Sequence, residues 1–354
     1  MKKNLAGLVL LPLALVALPA VGFGQGATAG QRASAQGPYR KLAEIAIGGE
    51  GGWDYLSVDA VNRRLYVSHA TKVVVVDVDT NKVVGEVAPT PGVHGIAVAP
   101  ELGRGFVSNG RESTVSIFDL KSLQTVGKVS TGENPDAILY VPPQKEVWTF
   151  NGRGRSATVF DAQTGAVRAT VTLPGKPEFA VFDEKTGRVY DNIEDTSQLV
   201  AIDAANHQVA ATWPISPGRE ASGLALDPAS HRLFVGCDNE LMLMVDATTG
   251  KVLASAPIGK GVDANAFDPG TGLAFASSSD GTLTVARPGP AGTLKVVQAL
   301  ATPKRSRTMT LDPKTHRLYV AAAEFAPAPA SADGRPQWPQ VVAGSFKVVV
   351  YEMQ

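Results

Sequence analysis

The stretch RRLYVSH at residues 63–69 returns along the chain with the same order of residue types. Its counterparts are GRGFVSN (103–109), KEVWTFN (145–151), GRVYDNI (187–193), HRLFVGC (231–237), TGLAFAS (271–277) and HRLYVAA (316–322). Successive copies begin 40 to 45 residues apart. A period of this length indicates a repeat architecture, in which each copy is one supersecondary unit that packs against its neighbours.

Each copy contains four short segments in which apolar and polar residues alternate. In the fifth copy they are GLALD (223–227), RLFVG (232–236), LMLMVD (241–246) and KVLASAPIG (251–259), separated by turns such as PASH and ATTG. A period of two predicts strands rather than helices. Four strands in a repeat of this length are typical of a propeller blade. The sequence therefore predicts an all-β, seven-bladed β-propeller with four antiparallel strands per blade.

The seventh copy ends with its third strand, FKVVVYEM (346–353), and residues 39–51, YRKLAEIAIGGEG, have the pattern of a fourth strand. We expect this N-terminal strand to pair with the C-terminal one, which closes the last blade and removes the open edge of the ring. The propeller is then predicted over residues 39–354, with a Pro-rich loop (324–345) inserted in blade seven. Two interpretations of this loop stay open: a lid over the channel that offers Trp338 for stacking, and a surface loop packed on blades seven and one.

The N-terminal residues have the pattern of a secretory signal. Lys2 and Lys3 precede an uncharged run from Leu5 to Val21, which falls short of the roughly 20 apolar residues that span a bilayer. We expect residues 1–24 to be a signal peptide cleaved near residues 22–24, and residues 25–38 to be a flexible lead-in. The mature chain is then expected to be a periplasmic or secreted monomer without a stable membrane span.

The composition narrows the function classes. The chain has 354 residues, a formal net charge of zero and one cysteine, Cys237. A neutral chain gives no electrostatic basis for general nucleic-acid binding. The sequence contains no CxxCH for covalent haem attachment, and one cysteine forms no intramolecular disulfide. We expect Cys237 to be a small buried side chain.

Several polar residues are expected to serve the turns only. Aspartates close the third strands, where a carboxylate caps the following turn: Asp77, Asp119, Asp161, Asp203 and Asp246. The histidines of the turns are expected to be solvated: His207, His231 and His316.

The segment LYVSHATKVVVVDVDTNKVVGEV (65–87) and its copies resemble the YVTN-repeat propellers, in particular the YncE-like periplasmic proteins. The resemblance covers about residues 39–354. Proteins built on similar repeats include cofactor-binding domains of periplasmic denitrification enzymes and binding modules without known chemistry. The resemblance therefore implies a fold and a compartment and leaves the activity open.

The first strand of each blade is expected to line the central channel. Aligning the copies on the residue that ends this strand, and stepping back five residues, gives seven polar residues that we call the mouth ring: Asp54, His94, Asp136, Glu178, Ser222, Asp263 and Arg307. A wet strand entrance is polar in any propeller, so a purely solvated ring stays an alternative. Closely spaced like charges nevertheless raise one another's pKa and cost free energy, which favours a binding role.

The loops between second and third strands open on the same face and add further candidate ligand-binding residues. These are His69, Asn109, Arg111, Asn151, Arg153, Glu194 and Glu324. Arginines on blades two, three and seven and carboxylates on blades four and six predict a face that is basic on one side and acidic on the other. An anionic ligand is expected to lie toward the arginines, which bind carboxylate or phosphate in a fork.

Two function classes follow. The first is an exported propeller that binds a small polar or anionic ligand, or a partner protein, at the charged mouth of its channel, with no catalytic residue assigned. The alternative is a metal-dependent, lactonase-like hydrolase with a Ca²⁺ or Mg²⁺ ion on the channel axis. The metal ligands would be Asp54, Asp136, Glu178 and Asp263. His94 or His69 would act as general base, and a non-covalent haem on either histidine stays a third option.

Overall fold

The computed structural model describes residues 37–327 and 339–354. The predicted signal peptide, residues 25–36 of the lead-in, the middle of the blade-seven loop and Trp338 lie outside the described residues. The described chain forms seven four-stranded antiparallel sheets arranged as the blades of a ring. The predicted all-β, seven-bladed propeller is confirmed.

The strands of the described residues are, in chain order, β1 (Tyr39–Ala46), β2 (Leu56–Asp59), β3 (Arg64–His69), β4 (Lys72–Asp77), β5 (Lys82–Val87), β6 (Val93–Ala99), β7 (Arg104–Asn109), β8 (Thr114–Asp119), β9 (Thr125–Ser130), β10 (Pro135–Val141), β11 (Glu146–Asn151), β12 (Ser156–Asp161), β13 (Val167–Thr172), β14 (Pro177–Asp183), β15 (Arg188–Ile193), β16 (Gln198–Asp203), β17 (Gln208–Pro214), β18 (Ala221–Asp227), β19 (Arg232–Cys237), β20 (Leu241–Asp246), β21 (Val252–Pro257), β22 (Val262–Asp268), β23 (Leu273–Ser278), β24 (Thr282–Gly289), β25 (Thr293–Ala301), β26 (Met309–Asp312), β27 (Arg317–Ala322) and β28 (Lys347–Met353). Helical structure in the described residues is limited to short 3-10 turns at Pro100–Leu102, Pro142–Gln144 and Pro290–Gly292. No helix of the described chain is long and apolar enough to span a bilayer.

Blades one to six are consecutive meanders, from β2–β5 to β22–β25. The seventh blade has the order β26-β27-β28-β1, so its fourth strand comes from the N-terminal side of the chain. Strand β1 runs antiparallel to β28 from the pair Tyr39↔Met353 to the pair Ala46↔Lys347. The first strands of successive blades are neighbours, and β26 contacts β2 to complete the circle.

The sixth repeat copy begins one residue later than the sequence pattern indicated. Strand β23 starts at Leu273, the position that Arg64 occupies in β3, so the structural copy is 272–278 rather than 271–277. The turn residue before it, Gly272, has a φ of 65° and matches Arg63 at 58°. The mouth-ring position in this blade is unaffected, because it was counted from the end of β22.

The core lies between the blades. At the third position of each second strand lies a fully buried large aromatic side chain: Tyr66, Phe106, Trp148, Tyr190, Phe234, Phe275 and Tyr319. Tyr66, for example, packs on Phe118 of the next blade with ring centroids 5.7 Å apart. Burying one such side chain stabilises the fold by about 1.5–3 kcal/mol. The ring of blades is therefore held by a repeated apolar layer.

The face opposite the mouth ring carries ion pairs that join neighbouring blades. Arg63 contacts Asp312 at 2.9 Å, His231 contacts Asp183 at 3.0 Å, and His316 contacts Asp268 at 2.8 Å. These carboxylates are fully buried, whereas the two histidines are partly covered.

The expectation of solvated turn histidines is therefore wrong. Each reaches a buried carboxylate of the preceding blade, and His207 likewise bonds the buried Glu146 at 2.9 Å. The predicted turn caps are confirmed: the Asp77 carboxylate, for example, accepts the backbone N–H groups of Asp79 and Thr80.

Candidate functional site at the channel mouth

The mouth-ring residues occupy equivalent positions at the start of the seven inner strands. His94, Asp136, Glu178, Ser222 and Asp263 are each the second residue of their strand, and Asp54 and Arg307 precede β2 and β26 by two residues. A ring of first strands brings these positions to one end of the channel. Sequence register alone therefore located them.

His94 is the centre of the tightest cluster. Its Nδ1 atom lies 2.6 Å from Oδ2 of Asp54 and 3.7 Å from Oδ1 of Asp136. Burial lowers the pKa of His94, but the hydrogen bond to Asp54 and the charge of Asp136 outweigh it, so the net pKa is raised. The imidazole therefore favours the protonated form between two carboxyl groups.

Burial raises the pKa of three carboxyl groups of the ring, Asp136, Glu178 and Asp263. Burial raises the pKa of Asp136 well above its usual range, and the nearby Asp54 raises it further. Burial also raises the pKa of Asp263 to about 7, although Arg307 opposes the shift with its Nε 3.3 Å from Oδ2. Burial raises the pKa of Glu178 despite the ammonium group of Lys176 at 2.9 Å.

Asp191 lies in β15 and is fully buried, and no side chain of the described residues forms a hydrogen bond with its carboxyl group. Its pKa is raised well above the usual range by burial and, to a smaller extent, by Glu178. The residues at the same point of β3 and β7 are Val67 and Val107. Blade four therefore carries a carboxyl group in a normally apolar position, close to the mouth.

Tyr55 crosses the channel beneath the ring. It comes from blade one, yet its phenol donates a hydrogen bond to the carbonyl oxygen of Glu178 in blade four at 3.0 Å, and its ring lies 5.4 Å from that of Phe179. Blades one and four are not neighbours in a seven-membered ring, so this contact passes through the middle. Sequence reasoning missed this role, because nothing local to Tyr55 indicates a partner 123 residues away.

Buried side chains of the second strands fix the backbone of the mouth ring. The Ser108 hydroxyl donates to the carbonyl of Asp136 at 2.6 Å, and the Asn192 amide donates to the carbonyl of Ser222 at 3.0 Å. The Ser277 hydroxyl donates to the carbonyl of Arg307. Each of these bonds runs from one blade to the next, so a side chain in one blade orients the backbone of the mouth-ring residue in the following blade.

Ion pairs at the mouth join acidic and basic residues of neighbouring blades. Arg307 of blade seven pairs with Asp263 of blade six, and Arg155 of blade three pairs with Asp195 of blade four at 2.9 Å. Lys176 pairs with both Glu178 and Glu194. The unexpected lysine neutralises the side of the ring that the sequence suggested was acidic.

A groove opens beside His94. It has a volume of about 690 Å³ and is lined by Gly92, Val93, His94, Gly110, Arg111, Ser113, Glu133, Asn134 and Arg153. The Nε2 atom of His94 points toward Gly110, because a Cβ atom on that glycine would lie 2.5 Å from it. No residue of the described chain forms a hydrogen bond with this nitrogen. The groove therefore brings together three cationic groups that the sequence singled out.

Two of the candidate residues predicted for the loops between second and third strands lie instead at the ends of second strands. Asn109 and Asn151 are fully buried. The Asn109 amide donates to the hydroxyls of Thr114 and Ser116, and the Asn151 amide donates to Ser156 and Thr158. Each is the last residue of a strand, and its amide bonds the neighbouring strand of the same sheet, so their predicted ligand-binding role has no support from these contacts.

His69 and Glu324 also lie apart from the cluster. His69 is 2% exposed and stacks on Phe346 with centroids 4.6 Å apart, and neither ring nitrogen has a hydrogen-bond partner within the described chain. Glu324 is exposed at the base of the blade-seven loop, where its backbone bonds Val342 and Ser345. No contact in the described chain joins either residue to the mouth ring.

Comparison with known proteins adds the fold and no more. No protein family and no curated protein matches the sequence. Among solved structures, the chain is similar to hydrazine synthase from Kuenenia stuttgartiensis, with a TM-score of 0.66 and 17% sequence identity over 77% of this chain and 92% of that chain. At this identity the similarity extends to the propeller architecture alone.

Proposed function

We propose that this protein is an exported propeller of the YncE-like, YVTN-repeat type that binds a small anionic ligand in the groove beside His94. One observation carries the proposal. Asp54 occupies Nδ1 of His94, so the remaining N–H at Nε2 faces a groove whose walls hold Arg111 and Arg153. An imidazolium flanked by two guanidinium groups is suited to a carboxylate or phosphate.

The surroundings support binding rather than an internal salt bridge. Arg153 is three-quarters exposed, and its nearest acidic oxygen, on Glu133, lies 3.8 Å away. Arg111 is exposed and has no ion pair within the described chain. Such groups keep their hydrogen-bond donors available for a ligand, and each charge-assisted bond contributes about 1.5–3 kcal/mol.

The test uses the glycine that lies against Nε2. In Gly110→Ala the added methyl group would lie 2.5 Å from that nitrogen, whereas in Gly152→Ala, the equivalent position of the next blade, the nearest atom is 3.4 Å away. Neither glycine has a positive φ, so neither substitution strains the backbone.

Calorimetric titration of the mature protein with succinate, citrate and inorganic phosphate should detect saturable binding of at least one anion. Gly110→Ala should weaken that binding at least tenfold, and Gly152→Ala should leave it within twofold. Absence of binding by all of these anions, or equal losses in the two variants, contradicts the proposal.

A metal-assisted hydrolase is the second candidate, favoured by a different observation. Asp54, His94 and Asp136 offer one ligand atom each, and these atoms all lie within 4.8 Å of one another. The imidazole nitrogen suits a first-row transition metal better than the Ca²⁺ or Mg²⁺ expected from carboxylates alone. Glu178 and Asp263, the other two expected ligands, instead pair with Lys176 and Arg307.

The two candidates need different nitrogens of one histidine. A metal ion requires Nδ1 without its proton, and when bound it would supply Lewis-acid activation of water. Titration with MnCl₂ followed by electron paramagnetic resonance should then show one tight site that Asp136→Asn abolishes and Gly110→Ala retains. Free Mn²⁺ throughout the titration contradicts the metal candidate and leaves the anion groove intact.

A further inference from the structure

We propose that a second cavity, bounded by blades six, seven and one, binds an anion carried on a flat aromatic ring. This cavity is separate from the groove beside His94, and the inference does not depend on the proposed function. All its described lining residues belong to the starts of inner strands or to loops between second and third strands, so it opens on the mouth face.

The cavity has the size of a small-molecule site. Its volume is about 700 Å³, within the range of roughly 300–1,000 Å³ that is usual for ligand pockets. A bicyclic aromatic acid fits in this space with room for water around its charged group.

One wall is aromatic and held in place from behind. Trp53 stacks on Phe346 with centroids 4.8 Å apart and an interplanar angle of 21°, and Phe325 lies 6.0 Å from Trp53 at 50°. Phe346 is buried, whereas Trp53 and Phe325 are partly exposed where they line the cavity. Two aromatic side chains at an angle form a surface on which a flat ring packs by stacking and edge contacts.

The cavity also has basic lining residues, and the Arg305 guanidinium lies 5.0 Å over the ring of Phe325. Lys260, Lys304 and Arg307 line the cavity, and neither lysine has an ion pair within the described chain. Arg307 uses Nε toward Asp263, which leaves its terminal nitrogens without a hydrogen-bond partner in the described residues. The acidic lining residue, Asp280, accepts the backbone N–H of Lys260 at 2.9 Å. The cavity therefore carries an excess of positive charge.

A buried hydroxyl completes the site. Thr308 follows Arg307 and is 5% exposed, and its Oγ1 atom has no hydrogen-bond partner within the described chain. A buried polar atom left without a partner costs about 1–3 kcal/mol, and a ligand oxygen in the cavity would satisfy it. The combination of an aromatic wall, excess cations and this hydroxyl specifies an aromatic carboxylate, sulfonate or phosphate.

The experiment uses 2-naphthoate as the probe. Titration calorimetry on the mature protein should give saturable binding that is at least tenfold tighter than that of cyclohexanecarboxylate, which lacks the flat aromatic system, and of 2-naphthylmethanol, which lacks the charge. Equal affinity for either comparison compound contradicts the assigned ligand class, and no saturable binding of 2-naphthoate overturns the proposal.

Variants locate the binding. The double substitution Lys260→Gln and Lys304→Gln changes two exposed side chains, so the fold should be retained, and it should weaken 2-naphthoate binding at least tenfold. Trp53→Leu should do the same and remove the accompanying change in tryptophan fluorescence.

Gly110→Ala serves as the control because it blocks the groove beside His94, and it should leave the affinity within twofold. A loss in Gly110→Ala with none in the double lysine variant would assign the probe to the groove and overturn the proposal.

Discussion

The phenol of Tyr55 and the carbonyl oxygen of Glu178 lie 3.0 Å apart across the central channel. The bond joins blade one to blade four and places an aromatic ring under the charged mouth. Asp54, the preceding residue, holds His94, so the same short segment supplies both the orienting carboxylate and the floor.

Substitutions of Tyr55 test how much its hydrogen bond and its packed ring stabilise the fold. Tyr55→Phe removes one hydrogen bond and should lower the free energy of unfolding by about 0.5–1.5 kcal/mol. Tyr55→Ala also removes the packed ring and should cost about 3–5 kcal/mol. Urea unfolding followed by circular dichroism measures both values. Equal effects of the two variants would mean that the ring does not pack in the channel.

The raised pKa of His94 predicts a pH-dependent contribution to stability. Because the folded-state pKa lies above the unfolded value of about 6.5, protonation of His94 favours folding. This contribution is fully present below pH 6.5 and is lost as the pH rises through the folded pKa. The stability difference between the wild type and His94→Gln should therefore shrink toward alkaline pH.

An NMR titration of the His94 ring should give a midpoint above 6.5, and Asp54→Asn should lower it because the bonded carboxylate is removed. A midpoint that Asp54→Asn does not move would contradict the observed pairing.

The lowered pKa of His69 predicts a contribution to stability with the opposite pH dependence. Burial lowers its pKa, with a smaller effect from Lys72, so the folded protein favours the neutral ring. The contribution of the neutral His69 ring to stability is therefore fully present above about pH 6.5. It is lost as the pH falls, because the unfolded state takes up a proton at higher pH than the folded state does.

The test is His69→Asn, which introduces the residue found at this position in blades two and three. Its unfolding free energy should fall less steeply than that of the wild type between pH 6.5 and pH 5. An identical slope would show that His69 does not contribute to the acid-side loss.

The ion pair between Arg63 and Asp312 closes the ring on the face opposite the mouth, and its strength can be measured. Arg63→Gly removes the partner of a fully buried carboxylate, which typically costs about 3–5 kcal/mol. Glycine also relieves the left-handed backbone at this position, worth about 1–2 kcal/mol. We expect a net loss of about 2–3 kcal/mol in urea unfolding.

Two further variants make this result specific. Asp79 also contacts Arg63 but is more than half exposed, so Asp79→Asn should lower stability much less than Arg63→Gly does. Combining Arg63→Gly with Asp312→Asn should restore part of the loss, because the neutral amide keeps a polar partner for Lys314 and Thr315 without a buried charge. A double variant less stable than Arg63→Gly would contradict the pairing.

The fold and the mouth ring could be predicted because both follow from the spacing of residues within and between the repeats. The repeat period determines the number of blades, and alternation of side chains in a strand determines which residues lie at equivalent heights in the channel. The sixth copy was misplaced by one residue because the sequence pattern aligned Thr271 with the first residue of the other copies. In the structure that place belongs to Gly272, which has a positive φ, as Arg63 has in the first copy.

The inward direction of Asn109 and Asn151 was signalled by neighbouring hydroxyls. Thr114 and Ser116 follow Asn109 at the same spacing at which Ser156 and Thr158 follow Asn151, and each amide bonds both of its hydroxyls. In blade one the corresponding residues are Lys72 and Val74, which offer no such partner. His69 therefore turns to Phe346, a contact between distant parts of the chain that no local pattern indicates.

Strand β1 is made first and completes the last blade only when β28 has followed it. The register pairs Tyr39 with Met353, so a native contact spans almost the entire described chain. Folding of such a contact is slow, because the loop must close before any free energy is gained. Until translation reaches β28, both β1 and β27 lack the strand that lies between them in the finished blade.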